Sequence, residues 1–128
     1  MPKIALLFAS LHALLLLALI APISRHRHRH KIGLGSAGDP VLERKIRAHA
    51  NFIEFVPIAL LLLALLELAG LQANWLWMLG GVLLLARVMH ALALSRHAGY
   101  SFGRFWGTVL TMLVLLGMAV AGLGLSLR

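Results

Sequence analysis

Arg47, Asn51 and Glu54 are the residues of this sequence whose types and spacing could do chemistry together. They stand at i, i+4 and i+7, and a helix that turns by about 100° per residue places them on one narrow face. That face carries a cation, an amide and an anion where a polar segment enters a long apolar run. Charged groups inside a membrane helix are costly and commonly mark functional sites. The spacing predicts a site for a polar ligand, the alternative being that the three side chains only hold neighbouring helices together.

A second group of polar residues lies in the last two apolar runs. Arg87 and His90 stand near the end of the third run. Arg104 opens the fourth run and shares a helix face with Thr108 and Thr111, at i, i+4 and i+7. These residues form a second candidate polar face.

Arg87 and Glu54 are expected to lie at similar depths in the membrane. At a rise of about 1.5 Å per residue, Arg87 is about 12 Å inside the end of its run. Glu54 is about 10 Å from Arg47 along its helix. Because an ion pair would neutralise both groups, the sequence predicts a Glu54–Arg87 pair.

Four apolar runs must position these residues. The chain has 128 residues, of which 61% are hydrophobic and 12% charged, well below the roughly 25% charged residues of a soluble domain. Each run approaches the ~20 residues that a helix needs to cross a bilayer. The predicted spans are residues 4–23, 52–71, 75–94 and 105–125. We therefore predict an all-α membrane protein, a four-helix bundle in a single domain over residues 1–128.

Local signals refine this prediction. Asp39 followed by Pro40 is typical of a helix start, with Asp39 as the N-cap. In the fourth run, Gly117, Gly122 and Gly124 are expected to let neighbouring helices approach closely.

The distribution of positive charge predicts how the chain is oriented. The net charge is +8, and seven of the twelve Lys and Arg residues lie between Arg25 and Arg47. Since cytoplasmic loops are enriched in Lys and Arg, this loop and the one between Arg96 and Arg104 are expected inside, with both termini outside the cytoplasm. Membrane topology explains the charge, so no nucleic-acid partner is predicted.

Residues 25–31 alternate arginine and histidine and end in Lys31. Such a segment next to a membrane more commonly binds lipid headgroups than a metal ion. The chain has no cysteine, and nothing nearby supplies a second set of ligands. We therefore predict contact with membrane lipids and no metal site.

The polar residues also form a recognisable pattern. Arg47, Ala48, His49, Asn51, Glu54 and Pro57 follow the order Arg-Ala-His-x-Asn-x-x-Glu-x-x-Pro. This motif, with Ala86-Arg87-x-x-His90 and Arg104, resembles the MAPEG family (membrane-associated proteins in eicosanoid and glutathione metabolism), and its bacterial branch in particular. The resemblance covers essentially the whole chain.

The resemblance implies a homotrimer in the bacterial inner membrane that binds glutathione between subunits. By position, Arg47, Asn51 and Glu54 contact glutathione, Glu54 through the ligand's α-amino group. Arg87 and His90 support or line the site, and Arg104 is the catalytic residue that stabilises the glutathione thiolate. One arginine among Arg25, Arg27 and Arg29 holds a carboxylate.

The implied function is a glutathione transferase or peroxidase that acts on lipophilic electrophiles. Two positions depart from the eicosanoid enzymes, because Leu94 stands where they have a tyrosine and Phe105 where some members have a serine. Both departures argue against prostaglandin- or leukotriene-type activity. Two alternatives stay open, a small four-helix membrane transporter and a non-catalytic scaffold or lipid-binding protein of the same fold.

Overall fold

Four long helices make up the chain. The computed structural model describes residues 1–96 and 101–127, except the side chains of residues 95 and 96. The helices are α1 (Lys3–His30), α2 (Pro40–Leu68), α3 (Ala73–Arg96) and α4 (Phe102–Ser126). All four are long and apolar enough to cross a membrane, as expected of a four-helix membrane protein. Part of the loop expected between Arg96 and Arg104 lies outside the described residues, at 97–100.

The helix ends follow from local sequence. Asp39 caps α2 as predicted, and its Oδ1 accepts from the main-chain N–H of Val41 at 2.8 Å and of Leu42 at 3.1 Å. Ser101 caps α4 by accepting from the N–H of Arg104 at 3.4 Å. The basic segment is helical and not part of the loop, since α1 continues to His30. This extension carries the arginines about 10 Å beyond the apolar run.

Helices α2 and α3 form the centre of the bundle. Each contacts the other three helices, whereas α1 and α4 do not touch in the described parts of the chain. The apolar core lies between the helices and includes Phe8, Leu63, Leu83 and Met118. The residues predicted to form the site therefore lie mainly on the two central helices.

Close helix approach depends on glycines other than the ones expected. A Cβ at Gly107 would lie 2.8 Å from the carbonyl oxygen of Ala86, and one at Gly80 would collide with the Phe8 ring. At Gly117 the nearest neighbouring atom would be 3.7 Å away, an ordinary contact, and nothing lies near Gly124. The prediction for Gly117, Gly122 and Gly124 was therefore wrong. The close contacts are instead made by Gly107, near the beginning of α4, and by Gly80 of α3.

Glu67 joins the end of α2 to the beginning of α1. Its Oε1 accepts from the N–H of Ile4 at 3.0 Å and its Oε2 from the N–H of Ala5 at 2.7 Å. The first N–H groups of a helix have no partner within the helix, and a carboxylate there also interacts favourably with the helix dipole. Glu67 thus caps α1 from another helix.

We expect Glu67→Gln to destabilise the bundle by about 2 kcal/mol, because hydrogen bonds to a charged acceptor contribute roughly 1.5–3 kcal/mol. The amide keeps the size of the side chain but loses one acceptor and the charge. Thermal unfolding followed by circular dichroism in detergent checks this. Gln72→Ala, at an exposed position nearby, is the control. Equal melting temperatures for Glu67→Gln and the parent would show that α1 does not depend on this cap.

Candidate functional site

Arg87 is the centre of a polar cluster inside the bundle. It is 1% exposed. Its Nη2 donates to Oδ1 of Asn51 at 2.7 Å, and its Nη1 donates to Oγ1 of Thr111 at 3.4 Å. The guanidinium carbon also lies 6.0 Å from the centre of the Phe52 ring, within the range of a cation–π interaction. Residues of α2, α3 and α4 therefore meet at one buried cation.

The predicted Glu54–Arg87 ion pair is not formed. Arg87 bonds to Asn51 and Thr111, whereas Glu54 is exposed on the outer surface of α2. The pairing was inferred from depth alone, and depth does not fix which way around the helix a residue points.

Arg47 and Glu54 lie on a face of α2 that the subunit's own helices do not cover. Both are exposed, and Asn51 between them is half-buried. The opposite side of α2 packs into the bundle through Ala48, Phe52 and other buried residues. The structure thus keeps the three predicted ligand-binding residues on one face. Asn51 is the link between that face and Arg87, since its oxygen accepts from Arg87 while its amide nitrogen remains available as a donor.

His90 and Leu94 lie behind this cluster on α3. Both are buried, with exposed fractions of 4% and 5%. A Cβ at Gly107 would lie 2.8 Å from Cβ of His90, so α4 packs directly on this histidine. The Nδ1 atom of His90 has no hydrogen-bond partner among the described residues. A buried polar atom of this kind is available to a ligand or a bound water.

Arg104 lies in the first turn of α4 and is half-buried. It shares its helix face with Thr111, which contacts Arg87. At about 1.5 Å per residue, Arg104 and Thr111 are about 10 Å apart along α4. Arg104 therefore lies at the same end of the bundle as Arg47, nearer to the basic loop than Arg87.

The three arginines at the end of α1 differ in their surroundings. Arg27 donates from Nη2 to the carbonyl oxygen of Gly35 at 3.1 Å and so holds the loop. Arg25 and Arg29 line a pocket with Lys45 of α2. Lys45 lies roughly half a turn around α2 from Arg47. Within one subunit, Arg25 and Arg29 are therefore not on the Arg47 side of α2.

His12 belongs to the buried cluster. The sequence gave little indication of this, because His12 is a lone histidine in an apolar run. It is 1% exposed, and its Nδ1 lies 2.7 Å from the carbonyl oxygen of Phe8. Its ring centre lies 6.1 Å from that of Phe52, the ring that also faces Arg87. Through His12 all four helices contribute a polar side chain to the interior.

Comparison with known proteins identifies the family of the chain. The model of the MAPEG family matches residues 5–124. Two proteins called "Inner membrane protein YecN", from Escherichia coli strain K12 and strain CFT073 of serotype O6:H1, are each 34% identical over 87 residues. The match covers 68% of this chain and 66% of each relative, slightly less than two thirds of their length. Since the family model covers nearly the whole chain, as the motif at residues 47–57 predicted, the chain belongs to the MAPEG family.

Proposed function

We propose that this protein is a glutathione transferase or glutathione-dependent peroxidase that acts on lipophilic electrophiles. The observation that carries the proposal is the α2 face on which a cation, an amide and an anion lie side by side, at Arg47, Asn51 and Glu54. Family membership supports the same activity. The name of the Escherichia coli relatives supports a location in the inner membrane, and the basic loop supports an orientation with both termini outside the cytoplasm.

The chemistry of this face fits glutathione. The tripeptide carries two carboxylates, one ammonium group and a thiol, so a site needs donors and an acceptor together. Arg47 and the amide of Asn51 supply donors, and Glu54 supplies a carboxylate for the ammonium group. Arg47 and Glu54 are about 10 Å apart along the helix, close to the ~10–11 Å that three extended residues span.

The position of this face supports a site between subunits in a homotrimer. Exposed residues continue along the same side of α2 and become apolar towards its end, at Ile58, Leu61, Leu65 and Leu68. A carboxylate such as Glu54 that faced only lipid would be costly. A neighbouring subunit that covers this stripe removes Glu54 from the lipid. It also brings a second set of side chains to the ligand, including the carboxylate-binding arginine expected among Arg25, Arg27 and Arg29.

Each residue then has a definite task. Arg87 fixes the side chain of Asn51 so that its amide points to the ligand. His90 has a ring nitrogen behind this bond that makes no hydrogen bond to any described residue, and Arg104 provides the positive charge that favours a thiolate. Bound glutathione supplies the nucleophilic sulfur. The apolar helix surfaces around the site admit substrates from the bilayer and contact them without strong selectivity.

Glutathione binding to the purified protein in nanodiscs tests the proposal. We expect saturable binding. We also expect the ultraviolet absorbance of the thiolate to appear below the pH at which free glutathione ionises. Binding without turnover of any electrophile would favour the scaffold alternative. Leu94, which replaces the tyrosine of the eicosanoid enzymes, is consistent with that alternative. A folded protein that does not bind glutathione would overturn the proposal.

We expect Glu54→Gln to weaken glutathione binding about tenfold, because the charge-assisted bond to the ligand's ammonium group becomes a neutral one. Isothermal titration calorimetry in nanodiscs measures this. Glu43→Gln is a matched control, since Glu43 is an exposed glutamate in the first turn of the same helix. Parent-like affinity in Glu54→Gln, or equal losses in both variants, would reject the contact with the amino group.

A further inference from the structure

A small basic pocket lies between the end of α1 and the beginning of α2. Its volume is about 220 Å³, and it is lined by Pro22, Arg25, His26, Arg29 and Lys45. Arg25 and Arg29 are one helical turn apart, so they present two guanidinium groups on one side of α1. Lys45 closes the pocket from α2. Three full positive charges therefore face one small space.

The acid that contacts the pocket residue His26 is already engaged. Asp39 caps α2 through Oδ1, and its Oδ2 lies 2.7 Å from Nε2 of His26. These bonds, the one from His26 first, lower the pKa of Asp39 to about 2. In the described part of the chain, no carboxylate lies within ion-pair distance of Arg25, Arg29 or Lys45. The positive charge of the pocket is thus not balanced by the protein.

His26 is held in place beside the pocket. Lys45 Nζ lies 3.3 Å from Nδ1 of His26, and the His26 ring stacks on that of His30 at 4.3 Å. Asp39, His26 and Lys45 therefore form a chain of contacts from the loop to α2. This chain holds the lysine beside the two arginines.

The pocket lies where the membrane surface is expected. Pro22 is near the end of the apolar run of α1, and the buried Ile23 follows it. The arginines stand within the next two turns. Phosphate groups of phospholipids lie at this boundary between hydrocarbon and water, and basic pockets between membrane helices on the cytoplasmic side are suited to anionic headgroups.

We propose that the pocket formed by Arg25, Arg29 and Lys45 binds the phosphate group of an anionic phospholipid. Within one subunit the pocket lies away from the glutathione face, because Lys45 lies roughly half a turn around α2 from Arg47 and Glu54. In the proposed trimer, the glutathione of a neighbouring subunit needs only one arginine of this segment, so Lys45 and at least one of the pocket arginines remain for the phosphate. The pocket volume of about 220 Å³ is also smaller than the ~300 Å³ of the smallest pockets that typically hold a whole small molecule. A phosphate group fits the pocket, while the acyl chains of the lipid extend along the apolar side of α1.

Lipid retention by the purified protein tests this proposal. The protein is delipidated in detergent, phosphatidylglycerol or phosphatidylcholine is added, and bound lipid per subunit is counted by native mass spectrometry. We expect one phosphatidylglycerol to bind each subunit in preference to phosphatidylcholine. Lys45→Gln should weaken this binding about fivefold, the effect of one basic residue at a lipid surface. The glutamine still has a donor for His26, so the pocket keeps its shape.

Lys31→Gln is the matched control. Lys31 ends α1 in the same basic segment, is exposed and does not line the pocket. Equal weakening by the two substitutions would mean diffuse attraction to the basic segment and would overturn the proposal, as would the absence of any preference for phosphatidylglycerol. A parallel titration with inorganic phosphate distinguishes the source of the ligand. The protein could retain no lipid but bind inorganic phosphate, with Lys45→Gln weakening that binding. This result would overturn the assignment to a lipid and identify the ligand as a soluble phosphate.

Discussion

Arg104→Ala should reduce turnover of a soluble electrophile such as chlorodinitrobenzene about thirtyfold, with less than a threefold change in glutathione affinity. Two opposite charges about 4 Å apart interact by roughly 4 kcal/mol at an effective dielectric constant of about 20. This energy corresponds to at most about three pKa units, and we assume that a guanidinium beside the sulfur lowers the thiol pKa by about two. Without it, the thiolate fraction at neutral pH falls from about three quarters to about 3%.

The start of α4 should be kept in this variant. The N-cap of α4 uses the main-chain N–H of Arg104, which alanine keeps. Steady-state kinetics and the thiolate absorbance of the bound complex are the measurements. Arg104→Lys keeps the charge and should recover most of the turnover. Unchanged turnover in a folded Arg104→Ala protein would remove this residue from the chemistry, and a loss confined to affinity would make it a binding residue.

Much of the fold follows from sequence alone. Hydropathy places the four spans because a bilayer requires about 20 apolar residues per helix. The start of α2 was predictable for a similar reason, since Asp39 and Pro40 carry a local signal that does not depend on distant residues. The motif at residues 47–57 also predicted correctly that Arg47, Asn51 and Glu54 share one face. These features have in common that each is decided within a single helix.

Contacts between helices were less predictable. In the sequence, Glu67 is a single acid near the end of an apolar run. Its partners at the beginning of α1 are more than 60 positions away, so no local pattern identifies them. The Glu54–Arg87 pair was wrong for the same reason, because the rotation of α2 against α3 decides which side chain meets Arg87. Asn51, not Glu54, points inward. The interior of the bundle is thus built from neutral acceptors, and the carboxylate is kept for the outer face.

That arrangement leads to the prediction for Arg87. We expect Arg87→Met to leave the thermal stability of the protein within a few degrees of the parent and to weaken glutathione binding at least tenfold. Methionine fills much of the space of the arginine side chain and removes the cost of burying an unpaired charge. The ligand site loses more, because the Arg87–Asn51 bond of 2.7 Å holds the amide of Asn51 in its orientation. Melting curves and calorimetric titrations of the same preparation separate the two effects.

Arg87→Ala extends the argument, because alanine removes the charge and also leaves a cavity. We expect it to destabilise the bundle by about 3 kcal/mol or more, in contrast to methionine. If both variants unfolded alike, Arg87 would be needed for folding through its charge. If Arg87→Met bound glutathione like the parent, Asn51 would be positioned without it. If Arg87 positions Asn51 for the ligand, Arg87→Met must keep the fold and bind glutathione more weakly. A buried guanidinium with no carboxylate partner among the described residues is then retained for the ligand site and not for stability.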